Sequence, residues 1–159
     1  METITDNMQK HYNYGEQMRR LKKAMDSMFS LEAIFIEYAI IEDRLESILR
    51  HSGVFNPERH NKISAKINKV EDLCREKRNA KNKGKVLLSK YISDELITEI
   101  RDWKDNRNPL THALLKKDIH TDDLKNIAIR GQEIVKQLNS KVTSYNRALE
   151  RYEAKMGGV

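Results

Sequence analysis

Cysteine is nearly absent from this 159-residue chain. Cys74 stands alone, which excludes an internal disulfide, fits a reducing compartment, and reads as a small buried apolar group. Proline occurs only twice and charge is plentiful, which suits a helical protein better than a β-sandwich or barrel, and the aromatic residues, 6% of the chain, show no cluster that would identify a base-stacking platform. No glycine-rich phosphate loop, nucleophile elbow or zinc-spaced Cys/His cluster occurs. The five histidines, His11, His51, His60, His112 and His120, are scattered, so neither a metal site nor a cofactor is expected. No window has the length of a membrane span, and the first ten residues lack the apolar core of a signal peptide, so a cytoplasmic location without membrane association is expected.

What is abundant is charge. Charged residues form 34% of the chain, and 30 Lys and Arg against 24 Asp and Glu leave a net +6, which favours an anionic partner. The length suits one domain with a core of its own. We expect a single all-α domain over residues 1–159, an antiparallel bundle of four to five helices with a long C-terminal helix. Its core should span about residues 16–155, with 1–15 and 156–159 flexible.

Apolar residues recur at steps of three and four from about Glu16 to His51, the mark of a helix with one buried face, which Ser52-Gly53 should end. A second helix should bury Ile63, Ile67, Val70 and Leu73. The basic stretch 75–85, REKRNAKNKGK, reads as that helix fraying into a solvated charged connection rather than a dedicated nucleic-acid patch. Ser93 is placed to cap a third helix reaching about Asn106. From Thr121 a seam runs to Tyr152, interrupted only by Gly131. Beyond Leu138 this seam is long enough to pack on a second copy of the chain.

Residues 107–112 read RNPLTH. Asn108 as cap and Pro109 at the first helical position suggest a helix start. Arg107 would then fold back toward His112, and the helix N-terminus would attract an anion and favour a neutral imidazole. Earlier, Glu42 interrupts the row Phe35, Tyr38, Leu45, Leu49, so it either calls for a cationic partner such as Arg107 or His112, or reaches water at the edge of the stripe or pairs locally with Arg44 or Arg50.

An all-helical bundle with Arg107, the adjacent Asn108 and His112 after four intervening residues resembles the HEPN domain family (higher eukaryotes and prokaryotes nucleotide-binding), rich in metal-independent ribonucleases. The resemblance implies a homodimer that cuts RNA by attack of the ribose 2′-OH on the adjacent phosphate. Arg107 and His112 would be catalytic, Asn108 supporting, and Glu42 or Asp43 a fourth site residue. It also implies a partner protein such as an antitoxin, or a role in phage defence. Arg44 and His51 meet the family's looser spacing, but they lack the Asn and lie inside a continuous helix, so they read as incidental. The alternatives are a non-catalytic HEPN-like module that binds nucleotides or RNA, and a helical adaptor that forms oligomers.

Overall fold

The computed structural model describes the backbone of residues 4–113 and 121–157, and the side chains of 8–109 and 122–157. The described residues form a helical bundle: α1 (Ile4–Asp26), α2 (Ser30–His51), α3 (Ile63–Glu76), α4 (Asp94–Ala113) and α5 (Thr121–Gly157), with a 3₁₀ turn at Leu88–Lys90. No helix is long and apolar enough among them to cross a membrane.

Helix α2 is the central element and packs against α1, α3 and α5. Its apolar residues Ala33, Ile34, Ile40, Ile41, Leu45, Ile48 and Leu49 are all buried. Glu37 lies beside Gly131, Ser47 bonds Asn146, and His51 approaches Glu150. The two numberings rise together, so α2 and α5 run parallel. Helix α1 returns against both, with Tyr14 bonded to Asn139 and Lys10 paired with Asp43.

The expected Glu16–His51 helix is two helices. Met28 adopts φ 60°, the Phe29 N–H reaches the Ala24 carbonyl at 2.8 Å, and the Met28 N–H reaches Met25 at 3.2 Å. This is a Schellman termination, which favours glycine because an L side chain in the left-handed region is strained. Here it falls on a methionine, in a stretch without glycine or proline. The next helix end is the one expected: Gly53 takes φ 73° and the Val54 N–H bonds the Leu49 carbonyl at 3.0 Å. Helix α1 begins at Ile4, well before Glu16, and Tyr14 already packs against the core.

Helix α3 buries Ile63, Ile67, Val70 and Leu73, as its spacing predicts. It stops at Glu76 without fraying, because Lys77 adopts φ 51° and turns the chain away. Ser93 Oγ accepts the Leu96 N–H at 3.2 Å and caps α4. That helix continues past Asn106 and through Pro109. Proline in a helix removes one backbone hydrogen bond, here to the carbonyl of Asp105. Asp105 is exposed, so water reaches the freed carbonyl.

The seam of α5 beyond Leu138 does not outrun the domain. Leu138, Val142, Tyr145 and Leu149 are buried within the same chain, with Tyr145 held by Ser52 after α2 and Asn79 after α3. The surface reserved for a second copy is therefore internal core.

Candidate functional site

Arg107 lies on α4 one turn beyond Trp103, facing the first half of α2. Its guanidinium carbon sits 3.8 Å from the centre of the Tyr38 ring and 5.8 Å from that of Phe35. Tyr38 is partly buried, whereas Phe35 is 47% exposed. Aromatic rings hold a guanidinium by cation–π attraction and leave its planar fork of N–H donors unspent. Among the described residues no carboxylate pairs with Arg107; the arginine pairs are those of Arg19, Arg44, Arg50, Arg75 and Arg101.

The junction expected at Asn108 is absent. Asn108 and Pro109 are exposed residues inside α4, so Asn108 caps nothing, and no helix N-terminus adds attraction for an anion. The backbone of His112 belongs to the same helix, and its side chain lies outside the described residues. In a continuous helix five residues place positions 107 and 112 about 140° apart around the axis. The fold-back of Arg107 within one helix end is therefore ruled out.

The acidic candidates are engaged elsewhere. Glu42 does have a cationic partner, but it is Lys66 of α3, at 2.8 Å, with Glu46 on the same amine at 3.4 Å. Burial alone would lower the Lys66 pKa; the hydrogen bond and charges of Glu42 and Glu46 outweigh it and raise the pKa. Asp43 pairs with Arg44 and Lys10. Neither carboxylate pairs with Arg107.

The acid that sequence reasoning missed is Glu37. It is fully buried, neither carboxylate oxygen has a hydrogen-bond partner among the described residues, and burial pushes its pKa up to about 9, so it is a neutral acid at pH 7. Space for it comes from Gly131: a Cβ there would lie 2.0 Å from Glu37 Oε2 and 2.8 Å from Trp103 Nε1. The indole N–H donates to the Ile127 carbonyl of α5 at 3.0 Å. Glu37 thus sits beneath Trp103, one turn before Arg107, and as a neutral group it does not compete with an anion for the guanidinium. Two signals were available: an acid in the row Ala33, Glu37, Ile41, and a glycine in the α5 seam. The ring pair of Phe35 and Tyr38 was missed as well, since its meaning depends on Arg107 lying across it.

Arg44 and His51 do share a groove of about 710 Å³, lined also by Lys10, His11, Tyr14 and Asn146. Arg44, however, is spent on Asp43 and on the Tyr14 ring at 4.8 Å. His51 Nδ1 donates to the Ser47 carbonyl at 2.9 Å, an internal helix bond. His60 is likewise structural: its Nδ1 accepts the Asn56 N–H at 2.9 Å, and burial, then Lys69, Arg59 and Lys66, lowers its pKa. Cys74 is buried and its thiol is pushed up to about 12, which makes it unreactive. Among the described residues no three His, Cys, Asp or Glu side chains converge as a metal site.

No family model, curated protein or solved structure matches this chain.

Proposed function

We propose that the chain is a metal-independent endoribonuclease of the HEPN type, acting as a homodimer. The observation that carries this reading is Arg107, laid across the Tyr38 and Phe35 rings with no carboxylate among the described residues on its N–H donors. An arginine so held offers a bidentate fork to a phosphate, and the exposed Phe35 ring beside it offers a face on which a base can stack.

The chemistry needs a proton acceptor for the ribose 2′-OH and a donor for the leaving 5′-oxygen. His112 takes the 2′-OH proton or protonates the leaving oxygen, with the complementary role falling to the second copy or to water, while Arg107 neutralises the charge that develops on the phosphate. The ribose oxygen forms the new bond to phosphorus, the bond to the 5′-oxygen breaks, and the products are a cyclic phosphate and a 5′-hydroxyl end. Because α4 continues through both positions, Arg107 and His112 of one chain diverge around the axis. A composite site, in which Arg107 meets His112 of the partner subunit, satisfies the geometry that a single helix does not. Phe35 is the exposed apolar residue at this edge. Asn108, exposed on the same helix, is available to the substrate or to the partner rather than to a cap.

The test is incubation of purified protein with total RNA in excess chelator, with Arg107→Ala and His112→Ala alongside, followed by mapping of new 5′ ends. Cleavage by wild type alone, with a 2′-deoxy strand left intact, is expected. Loss of wild-type activity in chelator, or retention in either variant, overturns the reading. Mixing the two inactive variants should restore part of the activity if the site is composite.

A further inference from the structure

The charge of this protein is unevenly placed. Residues 75–90, the end of α3 with the loop and 3₁₀ turn that follow it, contain seven cationic residues, Arg75, Lys77, Arg78, Lys81, Lys83, Lys85 and Lys90, and one carboxylate, Glu76, so this segment carries +6. The other 143 residues hold 23 cations and 23 carboxylates. The whole net charge of the chain therefore sits in one connection. All seven cations are exposed. Arg75 pairs with Glu71 and Lys81 with Glu153, while among the described residues the other five have no acidic partner.

A solvated connection would leave its backbone to water, but this one is built. Asn82, almost fully buried, accepts the N–H groups of Gly84 (2.9 Å) and Val86 (3.2 Å) on Oδ1 and donates from Nδ2 to the Val86 carbonyl (3.3 Å). Asn79 accepts the N–H groups of Lys81 and Asn82, and its amide donates to the Tyr145 hydroxyl at 3.1 Å. Tyr145 shares a 2.6 Å hydrogen bond with Ser52, which ties the loop to α5 and the end of α2. Gly84 is at φ 91°, where a Cβ would meet the Lys77 carbonyl oxygen at 2.6 Å. Two cationic residues, Lys77 and Lys83, take left-handed conformations at φ 51° and 50°. Such a conformation costs an L-residue about 1–2 kcal/mol, and glycine would adopt it freely. The fold holds strained lysines there, with their ammonium groups outward.

We infer that residues 75–90 form a rigid docking platform for the phosphodiester backbone of RNA. The inference rests on the proposed function for the choice of RNA, and it assigns a binding surface remote from Arg107. Fixed exposed cations suit a polyanion with repeating charge, since each phosphate contact releases counterions and preorganisation lowers the ordering cost. The loop's apolar residues Val86, Leu87 and Leu88 turn inward, which removes the anchor that binding to a lipid surface would use.

The experiment measures binding of a single-stranded 2′-O-methyl RNA, which cannot be cleaved, across roughly 50–200 mM salt. The proteins are wild type, Lys77→Gln/Arg78→Gln/Lys83→Gln/Lys85→Gln, and a control with the same charge change on α1 and α5, Lys22→Gln/Lys23→Gln/Lys125→Gln/Lys136→Gln. The loop variant is expected to bind at least roughly tenfold more weakly and to lose about 2–3 units from the salt slope, near 0.7 per contact, while the control stays close to wild type. Asn82→Ala keeps every charge but removes the scaffold; it should weaken binding while circular dichroism shows the helices intact. Equal losses in the loop variant and the control overturn the inference, as does tighter binding of wild type to anionic phospholipid vesicles than to RNA. Loop-dependent binding without cleavage in the chelator assay would retain the platform and remove the ribonuclease reading; cleavage with loop-independent binding would do the reverse.

Discussion

Substituting Gly131 by alanine sets two well-known effects against each other. In an exposed helix the change is favourable by about 1 kcal/mol, because alanine is the better helix former. Here the new Cβ would stand 2.0 Å from Glu37 Oε2, 2.7 Å from Glu37 Cδ and 2.8 Å from Trp103 Nε1. Normal contact needs more than 3 Å, so both neighbours must retreat. The carboxyl group is the end of a flexible side chain, but it is enclosed, and the indole is a rigid, buried ring pinned to the Ile127 carbonyl. Overpacking of this kind costs about 1–3 kcal/mol, and the rigid indole argues for the upper end. The net expectation is a loss of about 2 kcal/mol, which for a domain of this size lowers Tm by roughly 4–8 °C. Urea titration and thermal melts followed by circular dichroism measure it. Glu37→Ala in the same chain removes the obstructing carboxyl group, so the double variant should be more stable than the two single losses added together. A Gly131→Ala protein as stable as wild type, or more so, would refute the close packing of Glu37, Gly131 and Trp103.

Three further outcomes follow from the same structure. The folded-state pKa of Glu37, about 9, lies above its unfolded value, so the folded protein holds this proton more tightly and stability falls as pH rises between about 4.5 and 9. Glu37→Gln abolishes that titration. Its stability relative to wild type should increase from pH 5 to pH 8, by up to about 3 kcal/mol at pH 7, as read from urea midpoints; a flat difference would refute the unpaired burial of Glu37. Val142→Asp places a charge at a fully buried position inside one chain, so circular dichroism should show unfolding at every protein concentration, whereas a folded monomer would restore the view of this seam as a subunit contact. Met28→Gly relieves a left-handed methionine and should raise stability by about 0.5–1 kcal/mol in denaturant titration, while a loss would mean that the Met28 side chain contributes more than its strain costs.

The helices were legible in the sequence where their own residues announce them. Gly53 ends α2 and Ser93 opens α4 by local rules, and Ile63, Ile67, Val70 and Leu73 point inward by period alone. The break at Met28 was not legible, because the turn between α1 and α2 uses a residue with no preference for it, against which the packing of Leu21, Ala24 and Ala33 weighs more. Pro109 misled in the opposite direction: a helix end was read where exposed neighbours let the helix continue. At the candidate site, the motif singled out Arg107, but its ring partners on α2 depend on how two helices cross. Glu42 and Glu37 show the same limit. Both interrupt apolar rows, and only the packing of α3 and α5 decides that one meets an ammonium group and the other a glycine.

Helix α5 touches both regions of interest, with Gly131 beneath Glu37 and Tyr145 beneath the cationic loop. Fourteen residues separate them, which in a straight helix is about 21 Å. If Arg107 and the cationic loop both bind RNA as proposed, the helix would act as a ruler. An oligonucleotide too short to bridge that length would be held at one end only, whereas a longer strand would engage bivalently, its second attachment favoured by the high effective concentration that the first creates. Affinity and cleavage should then rise together in a step as strand length passes the span, rather than gradually with each added nucleotide.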